Sequence, residues 1–435
     1  MRLAKTIQRL RAPRRRYNIF CGANTWSEWR IALRESRSPS CGDEEVERYE
    51  SAFARLTDAE SAISFAAGRM GLYAILEALG VGAGDEVIIP AFTCVVVPNA
   101  IRYRGARPVF VDIEPRTFNV DVGQVARLVT PRTRALYAQH TFGLVCNVEA
   151  LVALARQRGL PVIEDAAHAL GATHAGHPVG SLGDIAFFST DHTKVINTHV
   201  GGMVTTNDAG LAKRVRRIQE AADPLPSAFV RRMARSLAVA YPLYHPRMLW
   251  CGDLMAEALW RMGFFQFFDD ELDLQKPTRY PYPAKLSSFQ ARLGISQLGR
   301  LGDNLRHRRR IGLELEQRIH WLRDLLMPGG MNHAFLRYAF LVKDRDAFLR
   351  RFAARFDLGV WFTSVVHGRT TGLDRIGYIA GSCPNAEYVV RHVVNFPTHP
   401  RIDPTLLLAA VDRENAAGLS HTIDWWQYCH TALRV

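Results

Sequence analysis

Hydrophobic residues between positions 45 and 208 fall into short segments with two alternating spacings. Apolar runs of four to six residues predict strands at 86–90, 108–112, 135–138, 161–165, 184–189 and 202–206. Apolar residues at helical spacing predict intervening helices at 70–79, 91–103, 122–129 and 148–158. Short strands that alternate with helices predict an α/β fold, in which helices cover both faces of a mostly parallel sheet.

The remaining sequence divides the chain further. Residues 209–284 are helical in pattern and carry aromatic clusters broken by arginines, so we expect a subunit interface, a cap over the site or, alternatively, a helix lying on a bilayer. No apolar run there reaches the length of a membrane span. Residues 285–435 predict a smaller α+β C-terminal domain, with a helix at 287–325, a strand at 339–342 and a helix at 347–356. The predicted domains are therefore 1–44, 45–208, 209–284 and 285–435.

Composition indicates a folded protein of two or three domains. The chain has 435 residues, of which 48% are hydrophobic and 22% charged, and this balance argues against disorder. Its seven cysteines are widely spaced and lack the spacing of a zinc site. We therefore expect reduced thiols in a cytoplasmic protein, and no metal.

The formal net charge of +13 is unevenly distributed, because residues 1–20 hold seven basic and no acidic side chains. We interpret residues 1–44 as a basic N-terminal arm exposed to solvent. A weak contact with a membrane surface or a nucleotide phosphate is an alternative, and an organelle transit peptide would show the same pattern. No nucleic-acid partner is expected, because the basic stretch has no interleaved aromatic residues and no known binding module.

Lys194 is the best candidate for an amine nucleophile. The chain has 49 arginines but only 6 lysines, and an arginine guanidinium stays charged and cannot replace an imine-forming amine. Lys194 lies among small polar residues about thirty positions after the acidic strand end at Asp165. Pyridoxal phosphate requires both groups, an amine for its Schiff base and a carboxylate that keeps its ring nitrogen protonated. The alternative is an ordinary surface lysine after a strand.

Other residues fit the same cofactor. Gly68 and Arg69 open a predicted helix, where backbone N–H groups suit a phosphate. The hydroxyl of Ser189 would be a further phosphate ligand. His168, three residues after Asp165, would donate to the phenolic oxygen or cover the ring, although a structural histidine is equally consistent with the local sequence. Each feature alone is weak, and only their order and spacing together indicate a pyridoxal phosphate site.

In the order and spacing of these candidate site residues, the chain resembles the DegT/DnrJ/EryC1/StrS sugar aminotransferases, which are fold-type-I pyridoxal phosphate enzymes. The resemblance is close over residues 60–208 and looser at 287–294 and 395–400. It is carried by GAGDEVIIP at 82–90, PVFVD at 108–112, VIEDAAH at 162–168, GSLGD at 180–184, FFSTDHTK at 187–194 and GGMVTTND at 201–208.

The resemblance implies a cytoplasmic homodimer with active sites at the subunit boundary. It also implies amino transfer from glutamate or glutamine to a keto sugar, usually nucleotide-linked, in polysaccharide or secondary-metabolite biosynthesis. Lys194 and Asp165 would be catalytic, and His192 and Lys285 are candidates for contact with the substrate. The implied cofactor-binding residues are Gly68, Arg69, Cys94, Asp165, His168, Ser189 and Lys194.

The sequence also departs from the family pattern. Arg69 replaces a threonine that contacts the phosphate, and Cys94 replaces an aromatic residue that stacks on the cofactor. Pro283 aligns near an asparagine that reaches the partner subunit's phosphate, and Lys285 replaces an arginine. His168 is often glutamine in the family, and the loop at 195–200 is about one residue short. These departures indicate a divergent branch.

Two other functions fit the same fold. A sugar dehydratase of this type carries histidine at the imine position, and Lys194 argues against it. A non-catalytic pyridoxal phosphate-binding regulator is the other alternative, favoured by the altered phosphate loop and by Cys94.

Overall fold

The protein is built on a seven-stranded sheet covered by helices. The computed structural model describes residues 16–20, 22–38, 42–266, 275–320 and 331–416. In the sheet the strand order is β1-β10-β9-β6-β5-β2-β4. The five strands from β9 to β4 are parallel, whereas β10 runs antiparallel to both β1 and β9. The predicted mostly parallel α/β architecture is confirmed.

The elements of the described residues have the following bounds. The strands are β1 Ser61–Phe65, β2 Glu86–Pro90, β3 Thr93–Cys94, β4 Arg107–Val111, β5 Thr133–Gln139, β6 Val162–Asp165, β7 Thr173–His174, β8 His177–Pro178, β9 Ile185–Ser189, β10 Gly202–Thr206, β11 Asp223–Pro224, β12 Ala284–Lys285, β13 Met331–Asn332, β14 Arg337–Leu341, β15 Val366–His367 and β16 Val393–Pro397. The α-helices are α1 Trp26–Arg37, α2 Glu44–Thr57, α3 Gly68–Ala78, α4 Val96–Tyr103, α5 Val122–Leu128, α6 Val148–Arg158, α7 Ala209–Ala221, α8 Ser227–Leu243, α9 Leu249–Arg261, α10 Ser288–Leu298, α11 Leu301–Ile319, α12 Arg345–Phe352, α13 Pro384–His392 and α14 Pro404–Ala416.

The strands are apolar throughout because both faces of the sheet are buried. Val87 and Ile89 of β2 pack into one hydrophobic core with helices α3, α4, α7 and α8. Ile88, between them, faces the opposite core with α2, α5, α6 and α10. Successive side chains of a strand point to opposite faces, so a strand covered on both sides needs apolar residues at every position.

The C-terminal region forms a smaller α+β unit. Strands β14 and β16 pair antiparallel, and helices α11 to α14 accompany them. A third hydrophobic core joins this unit to the large sheet region, since Phe92 and Phe142 pack in one cluster with Phe340 and Phe396. Strand β15 also pairs with β3, which brings residues 361–367 to the carboxyl edge of the sheet.

Two predicted helices differ from the structure. Residues 91–103 do not form one helix, because the N–H of Thr93 donates to Val365 O at 3.2 Å and makes β3 a partner of a distant segment. The helix predicted at 287–325 is two helices, α10 and α11, which meet at Gly299 and Arg300. Residues 321–325 of that prediction lie outside the described residues.

The N-terminal region contains a helix. Helix α1 begins with a capping box, in which Thr25 accepts from backbone N–H groups and Glu28 accepts from the backbone N–H of Thr25. Trp29 donates from Nε1 to Ala238 O at 3.0 Å and so fixes α1 against α8. The basic residues before position 16 lie outside the described residues. In the part of the chain that is described, no helix combines the length and apolar character needed to cross a bilayer.

Candidate active site

A cavity opens at the carboxyl ends of the parallel strands, where ligands collect in open α/β sheets. Asp165 ends β6 and Ser189 ends β9, and the register pairs Asp165 with Gln139 at the end of β5. The lining includes eight of the nine predicted site residues, namely Gly68, Arg69, Cys94, Asp165, His168, Ser189, His192 and Lys194. Lys285, the ninth, does not line the cavity and lies on β12 beside Pro224.

The amine of Lys194 is buried within this cavity. Burial lowers its pKa to about 8, because desolvation disfavours the ammonium form, although Asp191, Cys94 and Asp165 act in the opposite direction. Nζ lies 4.6 Å from the centre of the Trp361 ring. A lysine with a pKa near neutrality is partly unprotonated in ordinary buffer and so available as a nucleophile.

The carboxylate of Asp165 faces the same space and is held in a fixed orientation. Oδ2 accepts from the Tyr137 hydroxyl at 2.7 Å, and Oδ1 accepts from the Ala167 N–H at 3.0 Å. Burial raises the pKa of Asp165, and these hydrogen bonds and the nearby Lys194 oppose that rise. A buried carboxylate of this kind is stabilised by a cationic partner. A protonated pyridine nitrogen provides one, so Asp165 fits the ring of pyridoxal phosphate.

His168 is neutral, because burial and the neighbouring cations Lys194 and Arg337 hold its pKa well below the ordinary value. Its Nδ1 accepts from the Phe142 N–H at 3.3 Å, so its proton belongs on Nε2. The imidazole also stacks on Trp361, with ring centroids 5.4 Å apart. His168 is therefore a neutral donor on the cavity wall, as contact with a phenolic oxygen requires.

One end of the cavity is built from a helix start. Ala67 gives α3 no side-chain cap, so the first turn leaves backbone N–H groups and a positive dipole end that suit an anion. A Cβ on Gly68 would lie 2.9 Å from Ser189 Cβ and 3.0 Å from Phe188 O. The close approach of α3 to the end of β9 therefore requires glycine. It also brings Ser189 next to the first turn of α3, in the wall of the same cavity.

The turn before Lys194 adds a second carboxylate. Burial alone would raise the pKa of Asp191, but its pairing with His192 and the nearby Arg69 and Lys194 hold it well below the ordinary value. Arg69 thus acts electrostatically at this turn. His192 pairs with Asp191 through Nδ1 and stacks on Phe20, with ring centroids 5.4 Å apart.

The sequence analysis did not name Tyr137, which contacts Asp165, or the lining residues Gln139, Trp361 and Phe362. Tyr137 and Gln139 lie two positions apart in the mostly apolar second half of β5, and their polar atoms were the available signal. Gln139 donates from Nε2 to Phe92 O at 2.8 Å. Trp361 and Phe362 come from the C-terminal region and reach the cavity through the pairing of β15 with β3. No local pattern in the sequence indicates that contact.

Comparison with known proteins identifies related chains. The family described as "DegT/DnrJ/EryC1/StrS aminotransferase family" matches residues 28–233 and 259–409. A GDP-perosamine synthase from Caulobacter vibrioides is 41% identical over 218 residues, which cover 50% of this chain and 56% of that relative. The match thus spans little more than half of that relative's length. The spore coat polysaccharide biosynthesis protein SpsC from Bacillus subtilis is 29% identical, with 82% of this chain and 85% of SpsC covered.

The fold also agrees with a solved structure. The aminotransferase TlmJ from Streptoalloteichus hindustanus superimposes with a TM-score of 0.69 and 26% sequence identity. The superposition covers 92% of this chain and 99% of TlmJ.

Proposed function

Because the chain belongs to the DegT/DnrJ/EryC1/StrS aminotransferase family, we propose that it is a pyridoxal phosphate-dependent aminotransferase that acts on a keto sugar. The observation that carries the proposal is the buried amine of Lys194 in one cavity with the carboxylate of Asp165 and the uncapped start of α3. This combination supplies an amine, a ring-nitrogen partner and an anion cradle within a single site.

Different residues of this chain would bind different parts of the cofactor. Lys194 would hold it covalently through Nζ, and Asp165 would accept the N–H of its ring nitrogen. The first turn of α3 and the Ser189 hydroxyl would bind its phosphate, and His168 would donate from Nε2 to its phenolic oxygen. When bound, pyridoxal phosphate supplies an electron sink that stabilises the negative charge left when the donor's α-carbon loses a proton.

Lys194 would also move the proton. Once a donor amino acid has displaced it, the free Nζ would act as the base, and burial already lowers its pKa to about 8 in the protein without cofactor. Tyr137 and the Ala167 N–H hold both oxygens of Asp165 and favour its negative charge beside the ring. Trp361 and Phe362 supply aromatic surface in the cavity, where Cys94 provides little.

We infer that the acceptor is a nucleotide-linked keto sugar and the donor glutamate or glutamine. The relative from Caulobacter vibrioides is named for a GDP-linked amino sugar, and SpsC is named for polysaccharide biosynthesis. Both names support amino-sugar formation for a polysaccharide. A cytoplasmic homodimer is part of the same proposal, with the partner subunit completing each site near β12.

Absorbance tests the proposal. Protein mixed with pyridoxal phosphate and then freed of excess cofactor should show a visible band that glutamate or glutamine bleaches. Lys194→Ala should abolish the band and slow amino transfer at least about 100-fold, since it removes both the anchor and the general base. Lys213→Ala, at an exposed position on α7, is the matched control and should leave the band intact.

The mass of the reaction product distinguishes an aminotransferase from a dehydratase or a regulator. Incubation with a panel of nucleotide-linked keto sugars and glutamate, followed by mass measurement, should reveal the mass of an amino sugar. A product that has instead lost water would favour a dehydratase. A visible band with no bleaching by any amino acid and no product would contradict the aminotransferase proposal and favour a regulator.

A further inference from the structure

Helices α1, α8 and α9 lie side by side on one side of the molecule. Trp29 of α1 donates from Nε1 to Ala238 O of α8 at 3.0 Å, and the Gln266 N–H, in the segment after α9, donates to Ser236 Oγ of α8 at 2.9 Å. Successive residues of a helix are rotated by about 100°, so positions 236 and 238 lie on nearly opposite flanks of α8. Helix α8 is therefore the middle of a layer, with α1 on one flank and the chain around α9 on the other.

The two remaining sides of α8 differ in character. Met233 and Leu237 point to one side and are buried in the core that α8 shares with α3, α4 and α7. By the same rotation, Arg232 and Arg235 point to the opposite side, and both are exposed. We call the side of the three helices that points away from this core the outer face. Helix α8 contains no acidic residue, so its part of the outer face is purely basic.

Helix α1 adds a second basic stripe to the outer face. Positions three or four residues apart share one side of a helix, and the exposed side of α1 carries Trp26, Arg30, Arg34 and Arg37. The two acids of α1 point inward. Glu28 pairs with Arg300 at 2.9 Å, and Glu35 pairs with Arg292 at 2.6 Å. The outer face of α1 therefore carries positive charge without an acid of the same helix beside it.

Helix α9 adds an exposed apolar stripe. Gly252 lies against α8, because a Cβ at this position would overlap Leu243 O. The buried Leu249 and Ala256 lie on one side of that contact. The other side carries three residues spaced by seven positions, or two helical turns, which are 44%, 52% and 79% exposed, namely Met248, Met255 and Met262. Large apolar side chains that are exposed together mark an interaction surface.

The basic N-terminal arm joins the protein beside these helices. The Arg16 N–H donates to Pro246 O in the turn between α8 and α9 at 2.9 Å, and Arg16 Nη1 lies 3.6 Å from Asp253 Oδ2 on α9. The other acid of α9, Glu257, pairs with Arg261. Residues 1–15 precede Arg16 and contain six basic side chains and no acid. Their charge is therefore tethered next to the outer face.

We propose that the outer face of α1, α8 and α9 docks on the surface of an anionic phospholipid bilayer. Arginines attract the negative charge of such a surface, and each one strengthens binding about fivefold. Trp26 and the methionine stripe supply the apolar contact that an interfacial helix makes with the headgroup region. A second copy of the chain fits less well, because a two-fold contact brings a patch onto itself and would place arginines against arginines. The inference goes beyond the proposed function and does not depend on cofactor chemistry.

Sedimentation with lipid vesicles tests this inference. Wild-type protein should bind vesicles of phosphatidylcholine mixed with phosphatidylserine much more tightly than vesicles of phosphatidylcholine alone, and added salt should weaken the binding. The triple variant Arg30→Gln, Arg34→Gln and Arg232→Gln should bind the mixed vesicles about 100-fold more weakly, since it removes three charges worth about fivefold each. The exchanged side chains are exposed, so far-UV circular dichroism should be unchanged.

The matched control removes the same charge from the other side of the molecule. Arg127, Arg156 and Arg158 are exposed on α5 and α6, which cover the face of the sheet opposite to α8. Their simultaneous exchange for glutamine should leave vesicle binding close to wild type. Equal losses in the two triple variants would overturn the inference, because net charge rather than the outer face would then determine binding.

The apolar stripe is tested separately. The double variant Met255→Ser and Met262→Ser keeps every charge and should weaken vesicle binding several-fold. This loss should persist at high salt, where the attraction between charges is screened. Binding that is unchanged by the double variant at all salt concentrations would overturn the proposed contact of the methionines with the bilayer.

The remaining outcomes identify a different partner. Absence of wild-type binding to the mixed vesicles would overturn the inference. Binding to duplex DNA that the outer-face variant loses, without binding to vesicles, would replace the bilayer with a nucleic acid. A lower molar mass of the outer-face variant in light scattering would replace it with a second copy of this chain.

Discussion

Burial determines what Lys194 can do. An exposed lysine titrates near about 10.4 and is almost fully protonated at neutral pH, whereas burial lowers the pKa of Lys194 to about 8. Because the neutral amine attacks an aldehyde, the unprotonated fraction sets the rate of cofactor loading. Below the pKa this fraction increases about tenfold with each pH unit, and above it the fraction levels off.

The first prediction concerns this pH dependence. The rate at which apoprotein gains the visible band, divided by the rate for a free lysine derivative, should be constant from about pH 6 to pH 7, because both unprotonated fractions rise about tenfold per pH unit there. Above the Lys194 pKa of about 8 the ratio should fall, because the free amine goes on gaining reactivity to about pH 10 whereas Lys194 does not. Stopped-flow absorbance measures both rates under identical conditions, which cancels the cofactor's own ionisation. A ratio that stays constant up to about pH 10 would show that the pKa of Lys194 is not lowered.

The second prediction concerns Asp165. Asp165→Asn removes the negative charge opposite the ring nitrogen and should slow the donor half-reaction by about 100-fold or more, the usual scale for one preorganised electrostatic contact. The visible band should remain, because Lys194 is intact. Tyr137→Phe keeps the charge and removes only the 2.7 Å hydrogen bond, so its effect should be smaller. Single-turnover absorbance with glutamate gives all three rates. Equal rates in wild type and Asp165→Asn would remove Asp165 from the mechanism.

Residues differ in how far the sequence could locate them. Lys194 and Asp165 stand at strand ends within one continuous α/β region, and parallel topology alone brings such ends together. Arg337 and Trp361 reach the same place through a second unit, more than 140 positions further along the chain. Nothing about an arginine at the start of an apolar strand distinguishes it in a sequence with 49 arginines. Its position over the Trp361 ring is visible only in three dimensions.

At the scale of elements, the sequence predicted the strands more accurately than the connections. Strands β2 and β10 and helix α6 have the predicted bounds, since each shows one clear period between turn residues. The elements that were misjudged depend on distant partners. Strand β3 forms because β15 pairs with it. Helix α10 ends at Gly299, although the helical spacing of apolar residues continues beyond that position. The local spacing of apolar residues predicts neither the pairing of β3 with β15 nor the helix end at Gly299.

The junction between α3 and β10 supports the third prediction. A Cβ on Gly202 would lie 2.5 Å from the carbonyl carbon and oxygen of Ala67 and from Gly68 Cα. These are backbone atoms, so the start of α3 itself would have to move. Gly202→Ala should therefore destabilise the protein by about 1–3 kcal/mol, the usual cost of overpacking, and weaken cofactor binding through the displaced N–H groups.

Gly82 provides the matched control for this junction. The nearest atom to its Cβ position is Arg104 O at 4.0 Å, so alanine fits without contact. Denaturant unfolding with and without cofactor gives the free energy of unfolding of each variant. Gly82→Ala should have values close to wild type, whereas those of Gly202→Ala should be lower. If Gly202→Ala loads cofactor with unchanged affinity, the start of α3 is not the phosphate cradle.

At the scale of the whole molecule, the two units share both a core and a site. Phe92, after β2, lies 4.8 Å from Phe362 between ring centroids, and Phe142 lies 6.2 Å from the same ring. Arg308 on α11 donates to Leu336 O at 3.0 Å, beside a small cavity that Lys194 also lines. Separation of the units would expose these aromatic residues and open the cavity at once. The candidate pocket therefore exists only while the units remain packed together.

This dependence leads to the last prediction. Denaturant unfolding of the loaded protein should show one transition, with far-UV circular dichroism and the visible band lost at the same concentration. Phe362→Ala removes a ring that is 2% exposed at the contact between the units, and it should shift both signals together by about 3 kcal/mol, as for other buried phenylalanines. Saturating cofactor should raise the midpoint, since it binds only the folded site. Loss of the visible band well before the helical signal would mean that the C-terminal unit separates first, and the pocket would then be a weak contact between two independent units rather than part of a shared core.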